Sequence, residues 1–233
     1  MDIRPLSECS IVVVWGNEID PALTPAIAGA VARIRSSLAE LVTDVVPSYT
    51  TVTVYYDPVR IDFRRFIIML RPLLEENSGN HEPPPGRRIE LPVWYHPDAG
   101  PDLPALARAC GLSIDDVIER HTTATYQVYA LGFSPGFGFL GQVDPTIARP
   151  RLESPRVRVP AGSVGIAGRQ TAVYPSASPG GWQLIGRCPV RLFDEQNLAL
   201  LSVGDQVTFR PVDRQAFLEL GGDALEAADR GAG

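Results

Sequence analysis

The sequence predicts an α+β fold: a small α/β domain over residues 1–84, then a β-barrel domain over 85–233. Three observations predict it. The first eighty or so residues alternate β-branched runs with apolar stripes at helical spacing. A stretch rich in Gly and Pro, ENSGNHEPPPG, follows them and reads as a linker. From Gly132 to Pro189 there are ten glycines and eight prolines in 58 residues, a density that suits short strands joined by turns and excludes a long helix.

The elements follow in order. SIVVVW at 10–15 is a strand. Thr24 stands where it can cap a helix running to about Leu41, with Ile27, Val31, Ile34, Leu38 and Leu41 on one stripe. TTVTVYY at 50–56 is β-branched and aromatic, hence a strand. Asp62 can cap a second helix whose apolar face is Phe63, Phe66, Ile67, Leu70 and Leu74. RIELPVWY at 88–95 is the next strand. The first part therefore reads β-α-β-β-α, a split βαβ of the ferredoxin-like kind, with its last strand expected from 88–95. It carries little visible chemistry.

Beyond the linker, Asp102 is expected to start a short helix and Ser113 another, with Asp116 three residues on in the style of a capping box. His121 falls at the C-terminal end of that helix, where the helix dipole would favour its cationic form. TYQVYALGF at 125–133 is a strand, and VGDQVTF at 203–209 a turn into a closing strand. The tail GGDALEAADRGAG reads as frayed.

Composition narrows the function classes. No apolar run reaches the roughly 18 residues of a membrane helix, and the first residues do not read as a secretory leader. The chain thus reads as cytoplasmic, without membrane contact. Cys9, Cys110 and Cys188 are too scattered for a disulfide framework, and with His81, His96 and His121 they show no metal-ligand spacing. The net charge of −6 makes nucleic acid a poor partner. All 21 basic residues are Arg. The absence of Lys excludes a Walker lysine or a Schiff base supplied by this chain. Arginines 149, 151, 156, 158, 169, 187 and 191 lie in a window whose only acid is Glu153. Such a window is either a solvated basic face or a seat for an anion or an acidic partner, to which a guanidinium fork is suited.

Several motifs carry the chemistry. LGFSPGFGFLG at 131–141 repeats Gly-Phe around a Pro, so Phe137 and its neighbours either plug the barrel end or line a pocket. Pro-Arg recurs at 150–151 and 155–156, which limits how far each guanidinium wanders. Gln170 either braces the barrel or reads an amide-like ligand. Tyr174 and Trp182 are core or ligand wall. Ser163 in GSVG lacks the G-x-S-x-G frame, so a self-contained serine hydrolase is rejected.

Taken together, GFSPGFGFLG, PRLESPRVRVPAGSVGIAGRQTAVYPSASPGGWQLIGR and LFD resemble the family of the 5-oxoprolinase B-type subunit, the histidine-kinase inhibitor KipI and allophanate hydrolase subunit 1, a module also fused within urea carboxylase. The resemblance implies a cyclophilin-like barrel after the N-terminal domain. It implies a polypeptide that is inactive alone and works with a homologous second one, resembling the 5-oxoprolinase C-type subunit, and a LamB/YcsF-like third protein. That assembly would convert 5-oxo-L-proline to L-glutamate at the expense of ATP, activating the lactam by phosphorylation, with Mg²⁺ held by the partner or the nucleotide. On this reading Arg151, Arg156 and Arg187 are anion contacts, Gln170 reads the lactam amide and His121 carries a proton. Phe137, Tyr174 and Trp182 form the wall. The alternatives are a KipI-like inhibitor of histidine-kinase autophosphorylation or an allophanate hydrolase or urea carboxylase-type subunit. The chain departs from the family pattern at Ala172, Phe139 and Cys188, where Gly, Tyr and Thr are usual.

Overall fold

The structure is a computed structural model that describes residues 1–18, 20, 22–75, 86–196 and 198–223. Most of the linker and the tail after 223 lie outside the described residues. The chain divides into two compact units, Met1–Pro85 and Gly86–Gly233, and each is built around its own core.

The first unit runs β1 (Asp2–Ser7), β2 (Ser10–Val14), α1 (Leu23–Ser37), β3 (Val42–Pro47), β4 (Thr51–Tyr56) and α2 (Phe63–Glu75). Its four strands lie in the order β1-β2-β4-β3, antiparallel at every step. Strands β2 and β3 therefore run parallel on either side of β4, with α1 crossing between them, which is the split βαβ of a ferredoxin-like sheet. Alternation along β2 and β4 buries Ile11, Val13, Val52 and Val54 against Ile27 and Ile34 of α1 and Phe66 and Leu70 of α2.

Two expectations are corrected here. Thr24 does not cap α1: the helix begins at Leu23, Ala22 takes the cap position, and Thr24 is buried within the first turn. The outer strand beside β2 is not 88–95 but β1, which forms a hairpin with β2. Asp62 does cap α2, its Oδ1 accepting from the Arg65 amide at 3.0 Å.

The second unit starts with β5 (Arg88–Trp94), then α3 (Leu103–Cys110), α4 (Ile114–Thr122), β6 (Tyr126–Leu131) and β7 (Gly138–Gly141). Next come β8 (Arg156–Val159), β9 (Ser163–Ala167), β10 (Gln170–Val173), β11 (Ser178–Gly180) and β12 (Gln183–Arg187). The unit ends with β13 (Phe193–Asp194), β14 (Leu198–Ala199), β15 (Gln206–Val212) and α5 (Arg214–Glu219). Seven strands close a barrel in the order β10-β7-β6-β15-β5-β12-β9. This is the expected cyclophilin-like barrel, and the molecule is α+β.

The allegiance of β5 has a physical cause. Leu91 to Trp94 are all buried, as suits a strand covered on both faces. It pairs in parallel with β15 from Arg88↔Gln206 to Trp94↔Val212, and its Leu91 and Val93 join Val128, Leu140, Val164, Ile166 and Phe209 in the barrel core. Hairpin β9–β10 turns through Gly168 and Arg169, and Gly168 holds φ at +59°. Outside the barrel, β8 and β11 form a separate two-stranded ribbon.

Candidate functional site

The ribbon β8–β11 and the loop 132–137 border a cleft of about 240 Å³. Its wall is aromatic. The Phe137 ring is the hub, with Phe139, Phe133, Tyr174 and Trp182 meeting it at centroid distances of 4.8, 5.2, 5.4 and 5.7 Å, all in edge-to-face geometry. Such pairs exceed the value of simple burial by roughly 0.5–1.5 kcal/mol each. Phe137, Tyr174 and Trp182 are almost wholly buried, whereas Phe133 is 65% exposed and holds φ at +71°, a conformation rare for an aromatic residue and often found at ligand sites.

Backbone close approach makes this cluster possible. A Cβ at Gly180 would run into the Tyr174 hydroxyl, so only Gly lets β11 cross there. Gly136 combines φ of +81° with a backbone packed on Leu192 and Phe193, which turns the Phe133–Phe137 loop back over the cleft.

Charge enters at the rim. Arg151 lines the cleft, is exposed, and makes no ion pair among the described residues. The segment that carries it is fixed on both sides: the Leu152 amide donates to the Gly181 carbonyl at 2.7 Å, and Gln183 Nε2 donates to the Pro150 carbonyl at 3.1 Å. Burial pushes the Tyr174 phenol above its usual range, opposed by the Trp182 backbone amide and by the charges of Arg151 and Arg156.

The remaining expected site residues stand elsewhere. Arg156 is not free to meet a ligand: it is 7% exposed, and its Nη2 donates to Asp102 Oδ1 at 2.6 Å. Asp102, expected simply to begin α3, makes no side-chain cap bond. Its second oxygen instead accepts from the Leu184 amide at 2.7 Å. The pair thus ties β8 to the start of α3 and to β12 beside Trp182. Arg187 is likewise buried, with Nη2 donating to the Ala161 carbonyl at 2.9 Å. Gln170 opens β10 opposite Ala167 and Gly141 and is not among the residues that line the cleft.

His121 departs furthest from expectation. It does end α4, but its side chain turns into the barrel, fully buried and stacked on Phe209 at 4.6 Å. Nδ1 lies 2.7 Å from the Tyr95 hydroxyl and Nε2 2.9 Å from Thr171 Oγ1, which in turn donates to the Gly165 carbonyl at 3.1 Å. With Thr171 donating onward, the network assigns the proton to Nε2 and makes Tyr95 the donor to Nδ1. Burial depresses its pKa to about 3, so the ring is neutral. Desolvation overrides the helix dipole, which is worth at most about 2 kcal/mol. The ring is fully buried and is not among the residues that line the cleft.

The geometry therefore gathers Arg151, Phe137, Tyr174 and Trp182, and separates them from Arg156, Arg187, Gln170 and His121. Phe133 and Phe139 join the first group, and the Gly-Phe repeat is the signal that marks them. Among the described residues no cluster of three His, Cys, Asp or Glu side chains could hold a metal ion, and no helix is long and apolar enough to cross a membrane.

The chain belongs to the family described as carboxyltransferase domain, subdomain C and D, whose model matches residues 1–201. It is 40% identical over 228 residues to the B-type subunit of 5-oxoprolinase from Bacillus subtilis, covering 92% of this chain and 94% of that protein. It is also 40% identical to the B-type subunit of 5-oxoprolinase from Escherichia coli O157:H7, covering 83% of this chain and 90% of that one. The crystal structure of urea carboxylase from Kluyveromyces lactis superposes with a TM-score of 0.73 at 18% identity, over 93% of this chain and 22% of that one, a likeness of fold.

Proposed function

We propose that this chain is a B-type subunit of an ATP-dependent 5-oxoprolinase, converting 5-oxo-L-proline, ATP and water to L-glutamate, ADP and phosphate only when joined by partner subunits. The observation that carries the reading is the near end-to-end match, at 40% identity, to a protein named as the B-type subunit of 5-oxoprolinase. The cleft agrees with a role that depends on partners. Among the described residues it offers aromatic walls and one guanidinium but no lining acid or histidine, so it lacks a general base for water and a ligand set for a metal.

The cleft by itself is a poor seat for ATP. Its volume lies below the roughly 300–1,000 Å³ of ordinary small-ligand sites, and a triphosphate needs more than one cation to balance it. The nucleotide therefore binds at a surface completed by the homologous second subunit, and a LamB/YcsF-like third protein completes ring opening. This chain's own residues bind and orient the small substrate and exclude water from it.

Reconstitution tests the reading. The chain mixed with both partners should form glutamate from 5-oxoproline and ATP, and omission of any one protein should abolish turnover. An assembly that is complete by gel filtration yet inert with 5-oxoproline would remove the substrate assignment.

A further inference from the structure

We propose that the cleft of this chain is a self-sufficient site for a small cyclic monocarboxylate, with Arg151 as the carboxylate anchor and the ring seated against Phe133 and Phe139, which are backed by the buried Phe137, and that the nucleotide never enters it. The inference rests on the 5-oxoprolinase reading for the identity of the ligand and on the geometry for its chemical class.

The lining decides the class by elimination. Arg151 is the only charged side chain among the described residues there, so a cation attracted to the aromatic faces would meet a like charge. A purely apolar ligand would leave that guanidinium without a counterion as the ligand displaces water from the rim. A polyphosphate would be left with most of its charge uncompensated. A ligand with one carboxylate and a compact ring satisfies both features: its anion pairs with the guanidinium fork and its ring replaces water over the exposed Phe133 and half-buried Phe139 rings. Arg156 cannot share the anion, because Asp102 already holds it at 2.6 Å. Its role is positioning, through the backbone on either side of Trp182.

Calorimetric titration of the full chain, purified without partners, tests the proposal. 5-Oxo-L-proline should bind one per chain, and Arg151→Gln should weaken it on the order of tenfold or more, as loss of a charge-assisted contact implies. Arg151→Lys should recover part of that loss. 2-Pyrrolidinone, the same ring without the carboxylate, should bind weakly and with no response to Arg151→Gln. Saturating ATP should leave the 5-oxoproline titration unchanged. Arg151 is exposed, so these variants should melt at the wild-type temperature, which serves as the control. Absence of binding to the unpartnered chain, equal affinity in Arg151→Gln, or displacement by ATP would each overturn the site. The two readings fail separately. If the chain takes 5-oxoproline through Arg151 but the assembly does not open it, the reaction is wrong and the site stands. If the assembly opens it with a KM indifferent to Arg151→Gln, the reaction stands and the site is wrong.

Discussion

At the scale of single residues, burial decides which polar side chains are committed to the fold. His121 is the clearest case. Its folded pKa of about 3 lies far below the unfolded value near 6.5. Between those values the unfolded chain binds a proton that the folded chain refuses, so stability falls as pH drops through that window and is fully present only above it. At pH 5 the expected loss relative to pH 7.5 is about 2 kcal/mol, from roughly 1.5 pH units at 1.36 kcal/mol each. Urea midpoints at the two pH values read it directly. Asp2, Asp116 and Asp144, whose pKa values are lowered from 3.8, contribute only at lower pH still. In His121→Gln the difference between pH 7.5 and pH 5 should largely disappear. A variant that keeps the full wild-type slope would show that His121 is not the group responsible.

At the scale of elements, the Asp102–Arg156 pair links a ribbon strand, a helix start and a barrel strand behind the aromatic wall. Both side chains are at most 13% exposed. Asp102→Asn should leave a buried guanidinium without its counterion and cost about 3–5 kcal/mol. Replacing Asp102 by Leu and Arg156 by Met together should recover most of that loss, because no charge is then stranded. Denaturant midpoints for the three proteins check this, and equal destabilisation by the single and double replacements would refute it. The sequence shows these elements unevenly. The Ser113–Asp116 capping box is legible from spacing, and both of its bonds form, at 3.0 and 2.9 Å, because such a cap needs only local contacts. The tether of Asp102 to Arg156 spans 54 residues and leaves no local trace, so in the sequence Arg156 looks as available as Arg151. Helix α5, capped by Asp213, is also invisible there: six residues ending in a Gly-rich tail give too little periodicity to read.

At the scale of the whole molecule, the two units differ in what can be read from composition. The change from helix-bearing to Gly- and Pro-rich sequence marks the barrel, and the Gly-Phe repeat marks its cleft. What periodicity does not settle is which unit owns the strand at 88–95. An apolar run of that length suits either sheet, and only its partner distinguishes them. The structure gives it to the barrel, where it supplies a seven-residue parallel ladder with β15, while the first unit completes its own sheet with β1. This allocation predicts how fragments behave. Residues 86–233 alone should unfold cooperatively on heating and give a dispersed amide spectrum. Residues 96–233 should not, since loss of β5 opens the barrel and leaves β15 and β12 as unpaired edges. Residues 1–85 should fold as well as residues 1–95, because the extra strand has no place beside β1. If the first unit instead gains several degrees in Tm from residues 86–95, and the barrel fragment is indifferent to their loss, the strand belongs to the other sheet. The parallel ladder would then not be what closes the barrel.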